Sequence, residues 1–211
     1  MAGYDQDRGA ARADLCRFLA ACYYQPGPEF AEEKVFDSML GAARRIDEDL
    51  AAHARRLGEQ YAGEDPERLL VEYTRLFLGP VDAIAKPYGS VWLGAEKALM
   101  QDSTMAVLKL YEEGGFEMDE DFRELPDHIA VELEFLYLLI FRENEAHRKG
   151  EPEGLLAATR LRMRFLEAHL GRWAEDFTAA VRAGAQSGYY RELAALTDRF
   201  VEMEATTGGA T

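Results

Sequence analysis

LPDHIAVELEFLYLLIFRENEAHRK, residues 125–149, is the stretch whose reading decides the fold. Ile129, Leu133, Leu136 and Ile140 fall on one helical stripe, while Phe135, Leu138, Leu139 and Phe141 cover the remaining directions. Apolar residues three and four positions apart define a helix, and a helix that is apolar on most sides belongs in an interior. The stretch therefore reads as the central helix of a bundle, opening near Pro126 and stopped after Lys149 by Gly150 and Pro152. Its uninterrupted apolar run, Phe135 to Phe141, falls far short of the roughly 20 residues that a membrane span needs. Periodicity does not explain Asp127-His128 at the mouth of the helix. A carboxylate in a first turn favours the positive end of the helix dipole, which accounts for Asp127 and leaves His128 without a reason.

Outward from this helix the 3.6-residue pattern recurs and no strand-like alternation is found, so the class is all-α. Leu15, Phe18, Leu19 and Cys22 form an apolar stripe before the break QPGP at 25–28. A segment from about Glu29 to Tyr61 is expected to divide near Gly41, and Asp65-Pro66 opens another that runs through Phe77. The connector LGPVDAIAKPYGS, 78–90, is too rich in proline and glycine for regular structure. Asp102 or Ser103 is placed to cap a helix that stops at Gly114-Gly115, and a further break spans 114–126. Helices at about 152–170, 172–185 and 188–204 complete a single-domain bundle of eight to ten helices over 10–204, with flexible ends at 1–9 and 205–211.

With 48% hydrophobic and 30% charged residues the chain has the balance of a globular protein, and its length allows one sizeable core. The formal net charge of −15 argues against a nucleic-acid partner, whose phosphates require a basic face, and suits a basic one. The N-terminal residues carry no apolar segment of the kind an export signal has, so a cytoplasmic location is expected. Cys16 and Cys22, six apart in a helical segment, fit neither a redox motif nor a disulfide framework and read as small buried residues.

The motifs of phosphate-binding loops, dinucleotide folds, zinc helices and hydrolase elbows are all absent from the sequence. None of His53, His128, His147 and His169 has a glutamate three residues before it, which removes the usual di-iron pairs of helix bundles. His128 with Glu132, and Glu143 with His147, share helical faces at i, i+4, which leaves a small metalloprotein or redox enzyme as the alternative from another class.

EYTRLFLGP (72–80), PYGSVWL (87–93) and LPDHIAVELEFLYLL (125–139) occur in the order found in the TorD/DmsD family, and FLEAHLGRWAEDF (165–177) with GYYRELAAL (188–196) is similar to its closing helices. The resemblance covers about residues 10–204. It implies an all-helical chaperone, not an enzyme, with neither cofactor nor metal. Such a chaperone binds the twin-arginine signal peptide or N-terminal region of an apo molybdopterin-dependent oxidoreductase until the cofactor is inserted. By the same resemblance Asp127 and His128 fall on an Asp-His pair associated with signal-peptide recognition, and Leu76, Phe77, Pro87, Tyr88, Ser90 and Trp92 on other motif positions; Glu132 shares the His128 face. Tyr88 stands where close relatives carry tryptophan, which leaves the client open. No membrane insertion is expected, and the chain is a monomer or a homodimer that exchanges helices at the breaks 78–90 and 114–126. A basic-apolar leader requires carboxylates beside apolar surface, and this chain supplies both.

Overall fold

The computed structural model describes residues 5–79, 82–94, 99–118 and 124–207, with the side chains of residues 29 and 31 excepted. The expected flexible ends, 1–9 and 205–211, lie partly outside the described residues, as does part of each expected break at 78–90 and 114–126. Among the described residues there are eleven α-helices and no strand. These are α1 (Gln6–Cys22), α2 (Glu29–Glu32), α3 (Val35–Ile46), α4 (Glu48–Gly63), α5 (Pro66–Tyr73), α6 (Gly89–Leu93), α7 (Asp102–Glu113), α8 (Ile129–Lys149), α9 (Pro152–Phe165), α10 (Gly171–Gly184) and α11 (Gly188–Thr206). With the very short α2 and α6 set aside nine remain, in agreement with the all-α bundle expected from periodicity.

Most helix ends follow from local chemistry. Asp5, Asp47, Asp65 and Ser187 each accept hydrogen bonds from first-turn amides of α1, α4, α5 and α11, a cap of about 1 kcal/mol each. The α3–α4 division falls at Asp47 and not near Gly41, which stays inside α3. Asp47 adopts an extended backbone and binds the Asp49 and Leu50 amides. A glycine in a helix interior costs only about 1 kcal/mol, so packing overrides it. Neither Asp102 nor Ser103 caps α7: Gln101 holds the cap position and makes no side-chain hydrogen bond to the first-turn amides, and Asp102 lies in the first turn.

Two π-helical turns were not expected. Thr74–Leu78 continues α5, and Leu166–Leu170 joins α9 to α10 without a break, so the division expected at about 171 is a π-helical turn in a continuous helical stretch. Such turns are rare and concentrate near functional positions. Leu76 and Phe77 sit in the first and His169 in the second.

Helix α8 lies at the centre, packed against α1 and α9; α11 packs on α10 and α4, and α3 on α1 and α4. Its central placement is as expected, except that Phe141 is 44% exposed. Toward its C-terminal half lies a buried ion network. Arg12 donates twice to Glu204 at 2.6 Å, and Arg162 reaches Glu143 at 2.8 Å and Glu204 at 3.1 Å, joining α1, α8, α9 and α11. Cys16 and Cys22 are buried and unbridged, as their spacing suggests. No helix among the described residues is long and apolar enough to cross a membrane.

Candidate functional site

The segments 87–90 and 125–129, far apart in sequence, meet as a two-residue antiparallel bridge pairing Tyr88 with His128. The Gly89 amide donates to the Asp127 carbonyl and the Ile129 amide to the Pro87 carbonyl, both at 2.8 Å. The side chains then cross over. Asp127 Oδ2 accepts from the Ser90 amide of α6 at 2.8 Å and from the Thr104 hydroxyl of α7 at 3.3 Å. His128 Nδ1 accepts from the Ala130 amide at 3.1 Å. α8 therefore begins at Ile129 with His128 as its cap, and Asp127, expected in the first turn of α8, caps α6 instead. α6 has no side-chain cap of its own, so a carboxylate from another segment satisfies its first turn.

Beneath the bridge lies a second polar layer. Glu132 Oε2 accepts from the Trp173 indole at 3.1 Å, Glu132 Oε1 lies 3.0 Å from His169 Nδ1, and His169 Nε2 lies 3.0 Å from the Ser103 carbonyl. Burial pushes the Glu132 pKa up, partly offset by His169 and Trp173. Burial opposes charging of His169, but Glu132 outweighs it and the imidazole pKa is raised. The backbone of Gly89 packs directly on this pair. A Cβ there would sit 3.0 Å from both Glu132 Oε1 and Trp173 Nε1, which is why the PYGS segment carries glycine at that point.

Above the bridge the His128 ring is held between two tyrosines. Tyr24 of the α1 end stacks at 6.0 Å with planes 8° apart, and Tyr88 meets it edge-on at 5.3 Å. Each tyrosine donates to a half-buried carboxylate, Tyr24 to Glu134 at 2.9 Å and Tyr88 to Glu124 at 3.0 Å. Burial lowers the His128 pKa to about 4, so the ring is neutral near pH 7. Because Nδ1 accepts a hydrogen bond, the single ring proton sits on Nε2.

Comparison with known proteins follows the same residues. Residues 43–179 match the family model described as nitrate reductase delta subunit. The chaperone protein TorD of Photobacterium profundum is 28% identical over 171 residues, covering 81% of this chain and 78% of the relative. The Tat proofreading chaperone DmsD of Salmonella paratyphi A is 30% identical over 185 residues, covering 87% and 84%. The chain belongs to the TorD/DmsD family. A crystal structure of a candidate redox enzyme maturation protein from Archaeoglobus fulgidus, 21% identical, superposes with a TM-score of 0.53 over 96% of each chain and shares the fold.

In this TorD/DmsD family member the motif residues are joints more than surface. Asp127, His128, Glu132, Ser90, Pro87, Leu76 and Phe77 are all buried, and only Tyr88 and Trp92 are half-exposed. Leu76 and Phe77, placed on motif positions by the resemblance, lie in the core; Phe77 packs within 5.2 to 6.1 Å of the Tyr73, Tyr190, Tyr23 and Phe177 rings. Asp127 Oδ2 is taken by the Ser90 amide and the Thr104 hydroxyl, while its buried Oδ1 has no hydrogen-bond partner among the described residues. Trp92 donates to the Lys86 carbonyl at 2.9 Å and shapes the connector. Glu72, in the first motif, accepts from the Gln186 and Ser187 amides and so holds the turn into α11.

The carboxylates named for the metalloprotein alternative have other partners. Glu132 turns to His169 and Trp173, His128 caps α8, and Glu143 is taken by Arg162, and among the described residues no group of three or more His, Cys, Asp or Glu side chains is placed to hold a metal ion. Sequence reasoning missed Tyr24, Glu124, Glu134, Thr104, His169 and Trp173. Only His169 and Trp173 carried a signal, an i, i+4 polar pair within the closing-helix motif.

Proposed function

We propose that the chain is a chaperone in the maturation of a molybdopterin-dependent oxidoreductase. It holds the twin-arginine signal peptide or N-terminal region of the apo-enzyme, in the cytoplasm, until the cofactor is inserted. The observation that carries this reading is the node at the N-terminus of α8. Two family motifs lock together there and present a neutral histidine between two tyrosines and two half-buried carboxylates. A basic-apolar leader requires such a surface, and aromatic residues beside charge are effective anchors at interfaces. Asp127, Ser90, Pro87 and Glu132 act as positioning residues, while Tyr88, Trp92 and the outer edge of His128 meet the peptide. The relatives' own names, chaperone and Tat proofreading chaperone, support the same task.

The test is co-purification from the native host with identification of the captured protein. The reading expects the catalytic subunit of a molybdopterin-dependent oxidoreductase in its cofactor-free form. Capture of no such subunit under any growth condition that expresses one contradicts it.

A further inference from the structure

Polar ties fasten α7 to the helices around it. Thr104 donates its hydroxyl to Asp127 at 3.3 Å, Tyr111 donates to the Pro126 carbonyl at 2.7 Å, and Glu113 pairs with Arg164 at the far end. The tie at its start is the Ser103 carbonyl, 3.0 Å from His169 Nε2. No side chain caps the first turn of α7, and Gly94 lies before the helix as Gly114 and Gly115 follow it, the last at φ +56°. His169 itself stands between two acceptors, since its Nδ1 lies 3.0 Å from Glu132 Oε1. A neutral imidazole has one N–H and one lone pair, so beside an ionised carboxylate either tautomer turns a lone pair on an oxygen. The arrangement therefore requires one more proton, held by the pair. The Nδ1–Oε1 contact is at ion-pair distance without hydrogen-bond alignment, and Ser90 Oγ, Ser103 Oγ and Asp127 Oδ1 are buried nearby without a partner among the described residues. A region whose polar atoms are matched this loosely has little to lose by rearranging locally.

We propose that Glu132 and His169 share one labile proton that latches the start of α7. With that proton in place, Nε2–H donates to the Ser103 carbonyl while Nδ1 and Oε1 are joined through the proton. When hydroxide removes it, the one proton left on the ring moves from Nε2 to Nδ1, because an ionised carboxylate is a stronger acceptor than a carbonyl. The Ser103 carbonyl then loses its donor, and ring tautomer and seating of α7 change together. The charged groups acting on His169 are Glu132 on α8 and Asp127 in the turn before it, and both favour the protonated ring. From α7 the Tyr111 phenol faces the same carboxylates and stays neutral, its pKa pushed well up by burial. From α10 the Trp173 indole donates to Glu132 Oε2, and from α9 the Phe165 ring stacks on His169 at 6.3 Å; neither titrates. Because Thr104 and Tyr111 brace Asp127 and Pro126, releasing the start of α7 loosens the support of the Leu125–His128 turn at alkaline pH. The latch is internal to the fold and stands whatever the chain binds.

The experiment titrates the full chain from mildly acid to alkaline pH, with nitrogen-labelled histidine rings, while amide protection factors are read over residues 103–107. The proposal expects His169 to titrate with a midpoint above the ordinary imidazole value of 6.5. Past that midpoint the ring nitrogens should report the proton on Nδ1. Protection over 103–107 should fall about fivefold at the same midpoint, the loss of one hydrogen bond. Glu132→Gln offers Nδ1 an amide donor, so in that variant the neutral ring keeps Nε2–H and the step in protection should vanish. Nε2–H retained past the wild-type midpoint, protection unchanged through it, or a step that persists in E132Q would each overturn the latch. Should E132Q not fold, the two wild-type readings decide, since tautomer and protection must change together.

Discussion

The two halves of α8 hold their buried charges in opposite ways. Toward the C-terminus Glu143 meets Arg162, and with Arg12 and Glu204 on neighbouring helices the count is two cations to two carboxylates, each with a partner within 3.1 Å. Toward the N-terminus Glu132 faces the His169 imidazole, Asp127 a backbone amide and the Thr104 hydroxyl, Glu124 and Glu134 face tyrosine hydroxyls, and the buried oxygens Asp127 Oδ1 and Ser90 Oγ have no hydrogen-bond partner among the described residues. A balanced network defines one arrangement of four helices and offers a ligand nothing. A node with surplus acceptors and a fixed N–H donor is incompletely satisfied by its own fold, and the binding role proposed for it rests on that difference.

The largest effect is expected at the balanced half. Arg162→Met leaves Glu143 and Glu204 buried with Arg12 alone, and urea unfolding should register a loss of about 3–5 kcal/mol. Peptide or precursor binding, measured where the variant is still folded, should not change. If binding fell in step with stability, the two halves would not be separable.

Next is the acid sensitivity of the other half. His128 has a folded pKa of about 4 against 6.5 for the free side chain, so between these values the unfolded chain binds more protons and stability rises with pH. Acidification through that window should remove on the order of 3 kcal/mol at this one residue. His169, with its raised pKa, carries the opposite sign and its contribution fades as pH rises through the folded value. In His128→Asn, asparagine retains the cap on α8 and the acid-sensitive component should vanish from stability–pH curves. An identical slope in wild type and variant would mean His128 is not held neutral.

The sequence displayed the helices, the central place of α8 and the two motifs that meet at its mouth, because hydrophobic period and proline-glycine breaks are local signals. It did not display what the motifs do to each other. That Asp127 caps α6 while His128 caps α8 depends on the bridge between Tyr88 and His128, a non-local pairing of residues forty apart. Tyr24 and Glu134 look like ordinary members of two helices until α1 is laid against α8. The boundary at Asp47 was misplaced at Gly41 because a side-chain cap outweighs the weak helix aversion of a single glycine.

Two smaller effects sharpen the contrast. Asp127→Ala removes the acceptor of the buried Ser90 amide and should cost about 1–3 kcal/mol by urea titration, with a larger proportional loss of precursor capture as α6 loosens and Tyr88 shifts. Glu134→Gln removes a carboxylate that burial already disfavours, and its thermal midpoint should hold or rise slightly, a change below about 1 kcal/mol, while capture falls. A charge that weakens the fold yet is needed for capture would place that half of α8 on the side of function.

The most direct measurement is amide hydrogen exchange of the chain alone and in complex with its captured precursor. The account predicts new protection at 86–94 and 124–134 and around Tyr24, with none around Arg12, Arg162 and Glu204. Protection confined to the ion-network half, with the Tyr88–His128 bridge unchanged, would contradict it.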